Sequence, residues 1–174
     1  MFLTRSVDKE HSIYLSRNFP SKLRVENKHR FSVILGVGGN VGDVRRRMEH
    51  LWVYLGKLSQ LKRIQSGVIL KNPPFGYTQQ DDFYNTVIEI STSLSPRVFL
   101  RLLWRIEKRF GRVRSFTNAP RTLDLDVIFY GDKTLNYPEL SVPHPHWKER
   151  SSVVIPLRSM TRNTIRRHYE NLNV

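Results

Sequence analysis

Two stripes of apolar residues at helical spacing, each set between β-rich segments, leave this 174-residue chain few architectures. The first stripe is Val44, Met48, Leu51, Leu55 and Leu58. At 3.6 residues per turn these fall on one side of a helix. Asp43 precedes them as an N-cap, a carboxylate that accepts from the free amides of a first turn. The second stripe is Phe99, Leu102, Leu103, Ile106 and Phe110. Ser95-Pro96 opens it with a cap residue and a proline at the first turn, and Gly111 ends it. Strands are expected at 31–37, around 63–70, at 85–94 and in the stretch that ends at Phe129. Within 85–94, Val87, Ile90 and Thr92 are set against Glu89 and Ser91. The order is β-α-β-β-α-β.

That order is the ferredoxin-like split βαβ pattern, an α+β sandwich whose antiparallel sheet carries its helices on one face. Residues 31–174 are read as a single domain of this kind, and residues 1–30 as a basic N-terminal extension, an arm or a disordered segment. Residues after Leu157 read as helical and basic. The extension contains Asp8, Glu10 and Glu26, and it has no apolar core of the secretory type. The longest apolar runs, Val33-Ile34-Leu35 and Val153-Val154-Ile155, are far too short to cross a bilayer, so no membrane partner is expected. The absence of cysteine excludes disulfides, thiolate nucleophiles and cysteine metal sites, and suits a cytoplasmic protein. A formal net charge of +14 points to an anionic partner: nucleic acid, nucleotide phosphates or an acidic surface.

The chemistry concentrates in Pro120-Arg121-Thr122-Leu123-Asp124-Leu125-Asp126. Alternation in a strand puts Asp124 and Asp126 on one face, about 7 Å apart, with Leu123, Leu125 and Val127 turned toward a core. Such a pair can share a magnesium site or hold two ions, because substrate phosphates supply the remaining ligands. A half-buried strand with an acidic, solvated outer face is the plainer reading of D-x-D alone. Arg112, Val113 and Arg114, with Arg121, concentrate positive charge beside the two aspartates, as phosphoryl transfer requires. Gly36-Val37-Gly38-Gly39-Asn40-Val41-Gly42 sits where a dinucleotide loop would, but Lys62 and Arg63 stand where its acidic partner belongs. A tight turn into the first helix explains it as well. Asn72-Pro73-Pro74-Phe75-Gly76 is a rigid loop that can wall a flat ligand, with Phe75 or Phe83 to stack on it. Asn85 offers an amide suited to the edge of a pyrimidine-like ring. His144-Pro145-His146 lacks a third metal ligand, so His144 is read as a phosphate donor beside Arg150.

Taken together, these blocks resemble the 6-hydroxymethyl-7,8-dihydropterin pyrophosphokinase family of folate biosynthesis. The resemblance rests on Gly38-Gly39-Asn40, on Pro73-Pro74-Phe75-Gly76 with Asn85, and on Ile106-Glu107 with Gly111-Arg112-Val113-Arg114. It continues through 120–126, then Val142-Pro143-His144 with Arg150 and Pro156-Leu157, covering about residues 31–157. It implies the ferredoxin-like fold and the transfer of pyrophosphate from ATP to the pterin hydroxymethyl group, with release of AMP. By position, Asp124 and Asp126 would hold two magnesium ions, and Arg112 and Arg121 would assist the transfer. Glu107, Arg114, Arg121, Val127, Ser141, His144 and Arg150 would line the ATP site. Asn85 would read the pterin edge and Phe83 would stack on its ring, with Pro73, Pro74 and Phe75 nearby. A monomer is expected. Several positions depart from the family's pattern. Ser152 stands where a second aromatic wall is common, with Trp147 as the candidate replacement. Thr117-Asn118 stands where Arg-Trp is common, in a loop one residue shorter. Asn72 replaces a usual threonine, and Gly39 a usual serine.

A ferredoxin-like nucleic-acid-binding module without ATP turnover is the alternative that the charge favours. It calls for exposed aromatics on the central strands, which the sequence lacks, so no nucleic-acid partner is expected. An NADP-dependent enzyme built on the Gly36–Gly42 loop is the third reading.

Overall fold

The computed structural model describes residues 3–26, 29–113, 116 and 118–160. Three short strands come first: β1 (Leu3–Ser6), β2 (Ser12–Leu15) and β3 (Ser21–Lys22). They are followed by β4 (Phe31–Gly39), α1 (Val44–Leu55), β5 (Leu61–Ser66), β6 (Ile69–Asn72), β7 (Phe83–Thr92), α2 (Pro96–Arg109) and β8 (Asp124–Tyr130). A small hairpin of β9 (Leu135–Tyr137) and β10 (Leu140–Val142) leads to α3 (Ser151–Arg158). The main sheet runs β1-β2-β6-β7-β4-β8, with β5 beside β6 on one edge of β7. These pairings are antiparallel. The fold is therefore α+β, and the dinucleotide reading falls with it, because that loop needs a parallel sheet.

Both predicted helices form where their stripes lie. The Asp43 carboxylate caps α1 by accepting from the Arg46 N–H at 3.0 Å. Val44, Met48, Leu51, Leu55 and the unforeseen Trp52 are buried on its inner side. Pro96 starts α2 as expected, although the Ser95 side chain makes no capping bond. Gly111 follows α2 with φ +81°, a left-handed position where any other residue is strained. The predicted 63–70 strand is two strands, β5 and β6, broken at Gly67. A Cβ there would lie 2.4 Å from the Pro156 carbonyl oxygen, so α3 packs directly on the break.

Alternation divides the sheet into two faces. Val33, Leu35 and Val37 of β4, Ile88 and Ile90 of β7, and Leu125 and Val127 of β8 meet α1 and α2 in the larger core. Ile34, Val87 and Ile128 point the other way and join Phe129, Trp147, Val153 and Leu157 in a second core under α3. Helices thus cover both faces, not one. Glu89 and Ser91 are consequently buried rather than solvated. Glu89 accepts from Gln65 Nε2 at 2.7 Å and from Ser32 Oγ at 2.8 Å, which satisfies its desolvated oxygens.

The first thirty residues depart most from expectation. In place of a loose arm, β2 pairs with β6 from Ser12↔Lys71 to Tyr14↔Ile69, and β3 pairs with β5. Phe19 is fully buried and meets Trp52 of α1 edge-on, with centroids 6.0 Å apart. The predicted basic helix beyond Leu157 lies mostly outside the described residues; α3 covers only its start.

Candidate active site

A cleft of about 580 Å³ opens on the α3 side of the sheet. Its floor is made by missing side chains. Gly36 pairs with Asp126 and Gly38 with Asp124, so nothing on β4 covers the two carboxylates. A Cβ at Gly38 would lie 2.4 Å from Asn85 Oδ1, and one at Gly36 would lie 3.2 Å from Ile128 Cδ1. Both glycines belong to β4, which runs on to Gly39, so the turn expected over Gly36–Gly42 begins only after them. Two glycines at i and i+2 on one strand were the signal for a close approach to the backbone.

The two aspartates share this floor but differ in their surroundings. Asp124 is bracketed by arginines. Arg112 Nη1 bonds its Oδ1 and also donates to Glu107 Oε1 at 2.7 Å, and Arg121 Nε lies 3.1 Å from its Oδ2. The neighbouring carboxylates outweigh burial at Arg112 and hold its pKa above the ordinary value. Asp126 has no such pairing among the described residues. Burial, reinforced by the Asp124 charge, raises its pKa to about 7, with Arg150 opposing. An under-compensated carboxylate beside a second one is a place for a cation. Among the described residues, no group of three or more His, Cys, Asp or Glu could hold a metal by itself. The donor set therefore fits magnesium, which takes few carboxylates when phosphates and water complete its shell.

The opposite half of the cleft is built from amides and a ring. Asn85 Nδ2 donates to Asn72 Oδ1 at 2.7 Å, and Asn72 Nδ2 donates to the Pro73 carbonyl at 2.8 Å. Asn85 keeps a second N–H and its oxygen for a ligand. Phe83 is buried beside them, and the Arg121 guanidinium lies 5.0 Å from its ring centroid. Pro73 and Pro74 line the cleft with Phe75, which is 85% exposed. Asn40 ties this half to the arginine side. Its Oδ1 accepts from the Arg121 N–H at 2.9 Å, and its Nδ2 donates to Gln80 Oε1 at 2.8 Å and to the Asp81 carbonyl at 3.0 Å.

The expected residues divide into three groups. Pro73, Pro74, Phe75, Phe83, Asn85, Arg121, Asp124, Asp126 and Arg150 all line the cleft. Others stand behind or beside it. The Glu107 carboxylate is buried behind β8, where it holds Arg112 and accepts from the Leu125 N–H at 2.9 Å. The Val127 side chain lies in the larger core on the far face. Ser141 bonds Asn136 in the β9–β10 hairpin at 3.0 Å. His144 is half-buried, and its Nδ1 accepts from the His146 N–H at 3.3 Å, which leaves Nε2 as the protonated donor. Burial and then Arg150 lower its pKa, so the ring is neutral at pH 7. Arg114 lies outside the described residues. Trp147 cannot replace a missing wall at Ser152, because it is buried against Phe129 with centroids 5.0 Å apart. Asn118, singled out as a departure from the family's pattern, lines the cleft, and so do Glu10, His11, Glu149 and Ser151, which were not foreseen.

The family described as 7,8-dihydro-6-hydroxymethylpterin-pyrophosphokinase matches residues 34–162. A 2-amino-4-hydroxy-6-hydroxymethyldihydropteridine pyrophosphokinase of Helicobacter pylori is 44% identical, over 83% of this chain and 90% of its own length. The enzyme of the same name from Campylobacter jejuni is 35% identical, over 82% of this chain and 90% of its own. The folic acid synthesis protein FOL1 of Dictyostelium discoideum is 34% identical over 84% of this chain, a stretch that makes up 23% of that longer protein. With a match across most of its length, the chain belongs to the 7,8-dihydro-6-hydroxymethylpterin-pyrophosphokinase family.

Proposed function

We propose that the cleft holds ATP and 6-hydroxymethyl-7,8-dihydropterin together and lets the pterin hydroxyl attack the β-phosphorus of ATP in line. The chain is a pyrophosphokinase of folate biosynthesis: it transfers pyrophosphate from ATP to the hydroxymethyl group and releases AMP. The observation that carries the mechanism is the pair Asp124 and Asp126 lining the cleft opposite Gly36 and Gly38, between fixed arginines and the Asn85–Phe83 pocket. Asp124 and Asp126 would hold two magnesium ions, which when bound neutralise the ATP phosphates. The protein's own work is to position reactants and stabilise charge, with no covalent intermediate.

Arg112 and Arg121 are held in place by Asp124 and Glu107, so their charge is oriented before substrate arrives. They would stabilise the negative charge that develops on the transferred group. Arg150 and the Nε2–H of His144 are donors for the nucleotide phosphates, with Arg114 and Ser141 assigned to the same substrate. Glu107 acts through Arg112, and Val127 can reach ATP only through its backbone. Asn85 would read the pterin edge while Phe83 stacks on its ring, flanked by Pro73, Pro74 and Phe75. The strand order β6-β7-β4-β8, with one helix after β4 and one before β8, supports the ferredoxin-like reading of the core. A single domain that takes in the amino-terminal strands, a monomeric state and a cytoplasmic location complete the proposal; light scattering after size exclusion tests the second.

The deciding experiment mixes protein, ATP, magnesium and the pterin and resolves the nucleotides. AMP formed only when pterin is present is the expected result. ADP, or no turnover, overturns the mechanism.

A further inference from the structure

The cleft is lined by two residues of the amino-terminal hairpin, Glu10 and His11, and the reaction as derived uses neither. Residues 7–11 turn the chain between β1 and β2, closed by the Val7 N–H donating to the His11 carbonyl at 2.9 Å. The His11 ring is held at both nitrogens. Both Asp8 carboxylate oxygens lie 2.9 Å from Nδ1, and since a carboxylate only accepts, Nδ1 carries the proton. Nε2 then accepts from the Ser151 hydroxyl, 3.2 Å away at the first residue of α3. With both nitrogens engaged, the ring has only its face to offer a ligand.

The hairpin that carries this ring is anchored on α1. Ser16 and Asn18 bond the Glu49 carboxylate on α1, and the Arg45 guanidinium lies 4.9 Å from the Tyr14 ring centroid. Strand register then locates His11. The pairing ends at Ser12 with Lys71, and the same register carried one residue further sets His11 opposite Asn72, which in turn pairs with Phe83. Residues paired across antiparallel strands share a face, and all three line the cleft. At about 4.8 Å per strand, the backbones of His11 and Phe83 stand roughly 10 Å apart, with the Asn72–Asn85 amides between them. That spacing suits a flat heterocycle lying over the amides with a ring on either side. No aromatic wall comes from α3: Ser151 and Ser152 line the cleft there, and Trp147 is turned into the second core.

We propose that His11 is a substrate-positioning residue whose imidazole face forms the wall of the pterin subsite across from Phe83. The inference rests on the pyrophosphokinase reading above. It makes the amino-terminal hairpin part of the substrate site.

The test is a pterin fluorescence titration of the full chain, with magnesium and a non-hydrolysable ATP analogue present. The proteins compared are wild type, His11→Ala and His11→Phe, each also followed by nucleotide titration and thermal unfolding. His11→Ala should weaken pterin binding about five- to tenfold, the loss of one ring contact. Nucleotide affinity should stay within about twofold of wild type, and His11→Phe should recover most of the loss. Equal pterin affinity in wild type and His11→Ala overturns the proposal and leaves the pyrophosphokinase reading standing. A wild type that binds no pterin overturns both. A loss that phenylalanine does not recover, with nucleotide affinity or Tm falling in parallel, assigns His11 to the fold alone and also overturns it.

Discussion

On the face of the sheet that α1 and α2 cover, β4 presents Val33, Leu35 and Val37, all buried in the larger core. On the opposite face the same strand presents Ile34, then Gly36 and Gly38, and the space above those glycines is the cleft. One strand thus serves packing and chemistry through its two-residue period. The face that needs density is filled with branched side chains. The face that needs room is emptied by glycine, and the exposed backbone of β4 becomes a floor on which Asp124 and Asp126 of β8 project. Stability and catalysis should therefore separate by residue parity, and substitutions on the two faces should fail in different ways.

The largest effect should come from the open face. Asp124→Ala or Asp126→Ala should lower AMP formation by at least about 10³-fold, a loss of the order seen when charge stabilisation is removed from an active site. The Tm should move by only a few degrees, roughly what a surface-cleft change brings. Turnover within about tenfold of wild type would remove both residues from the mechanism. The covered face should give the reverse. Leu103→Ala on α2 empties a fully buried position and should lose about 2–5 kcal/mol of stability, read by urea unfolding. Its kcat, measured well below the transition, should be unchanged. A drop in kcat without a drop in stability would break the division of the two faces.

A third prediction concerns pH. The folded Asp126 carboxyl titrates at about 7, against an ordinary value of 3.8. The folded protein thus binds the proton more tightly than the unfolded chain does. The stability this group contributes is fully present below about pH 4 and is lost as pH rises toward 7. Unfolding of metal-free protein across that range should show the decline, and Asp126→Asn should flatten it. An unchanged slope in the variant would show that another group sets it. The smallest graded effect should follow Gly38→Ala. The added Cβ would meet Asn85 Oδ1 at 2.4 Å, so the amide must shift. The pterin KM should rise about tenfold for about 1–3 kcal/mol of overpacking, while the ATP KM holds. Equal rises in both would show that the floor is shared by the two substrates.

Much of the covered face was legible because its information is local. The stripes from Val44 to Leu55 and from Phe99 to Ile106 declare their helices by spacing alone, and Asp43 and Gly111 mark their ends. The D-x-D strand was legible for the same reason, since alternation fixes the shared face. The glycines of β4 were misread as a turn because glycine signals either a break or a close approach, and only the partner across the strand decides which. The amino-terminal strands were hidden because β2 earns its place by pairing with β6, some sixty residues on, from four-residue segments without clear alternation. The fate of Trp147 depended likewise on a distant partner, Phe129. His11 carried no signal at all: a lone histidine in a basic, irregular stretch gains meaning only when Asp8 and Ser151 converge on it.

Asn40 has a consequence for motion. Arg121 lies outside every helix and strand, yet its amide hydrogen points at the oxygen of a side chain that is 5% exposed and that also grips residues 80 and 81. That hydrogen should exchange with deuterated solvent as slowly as one inside the sheet, because release requires the whole junction to open at once. In Asn40→Ala its protection should collapse while the amides of β4 and β7 keep theirs. The cleft would then loosen at one hinge pin, with the sheet beneath it undisturbed.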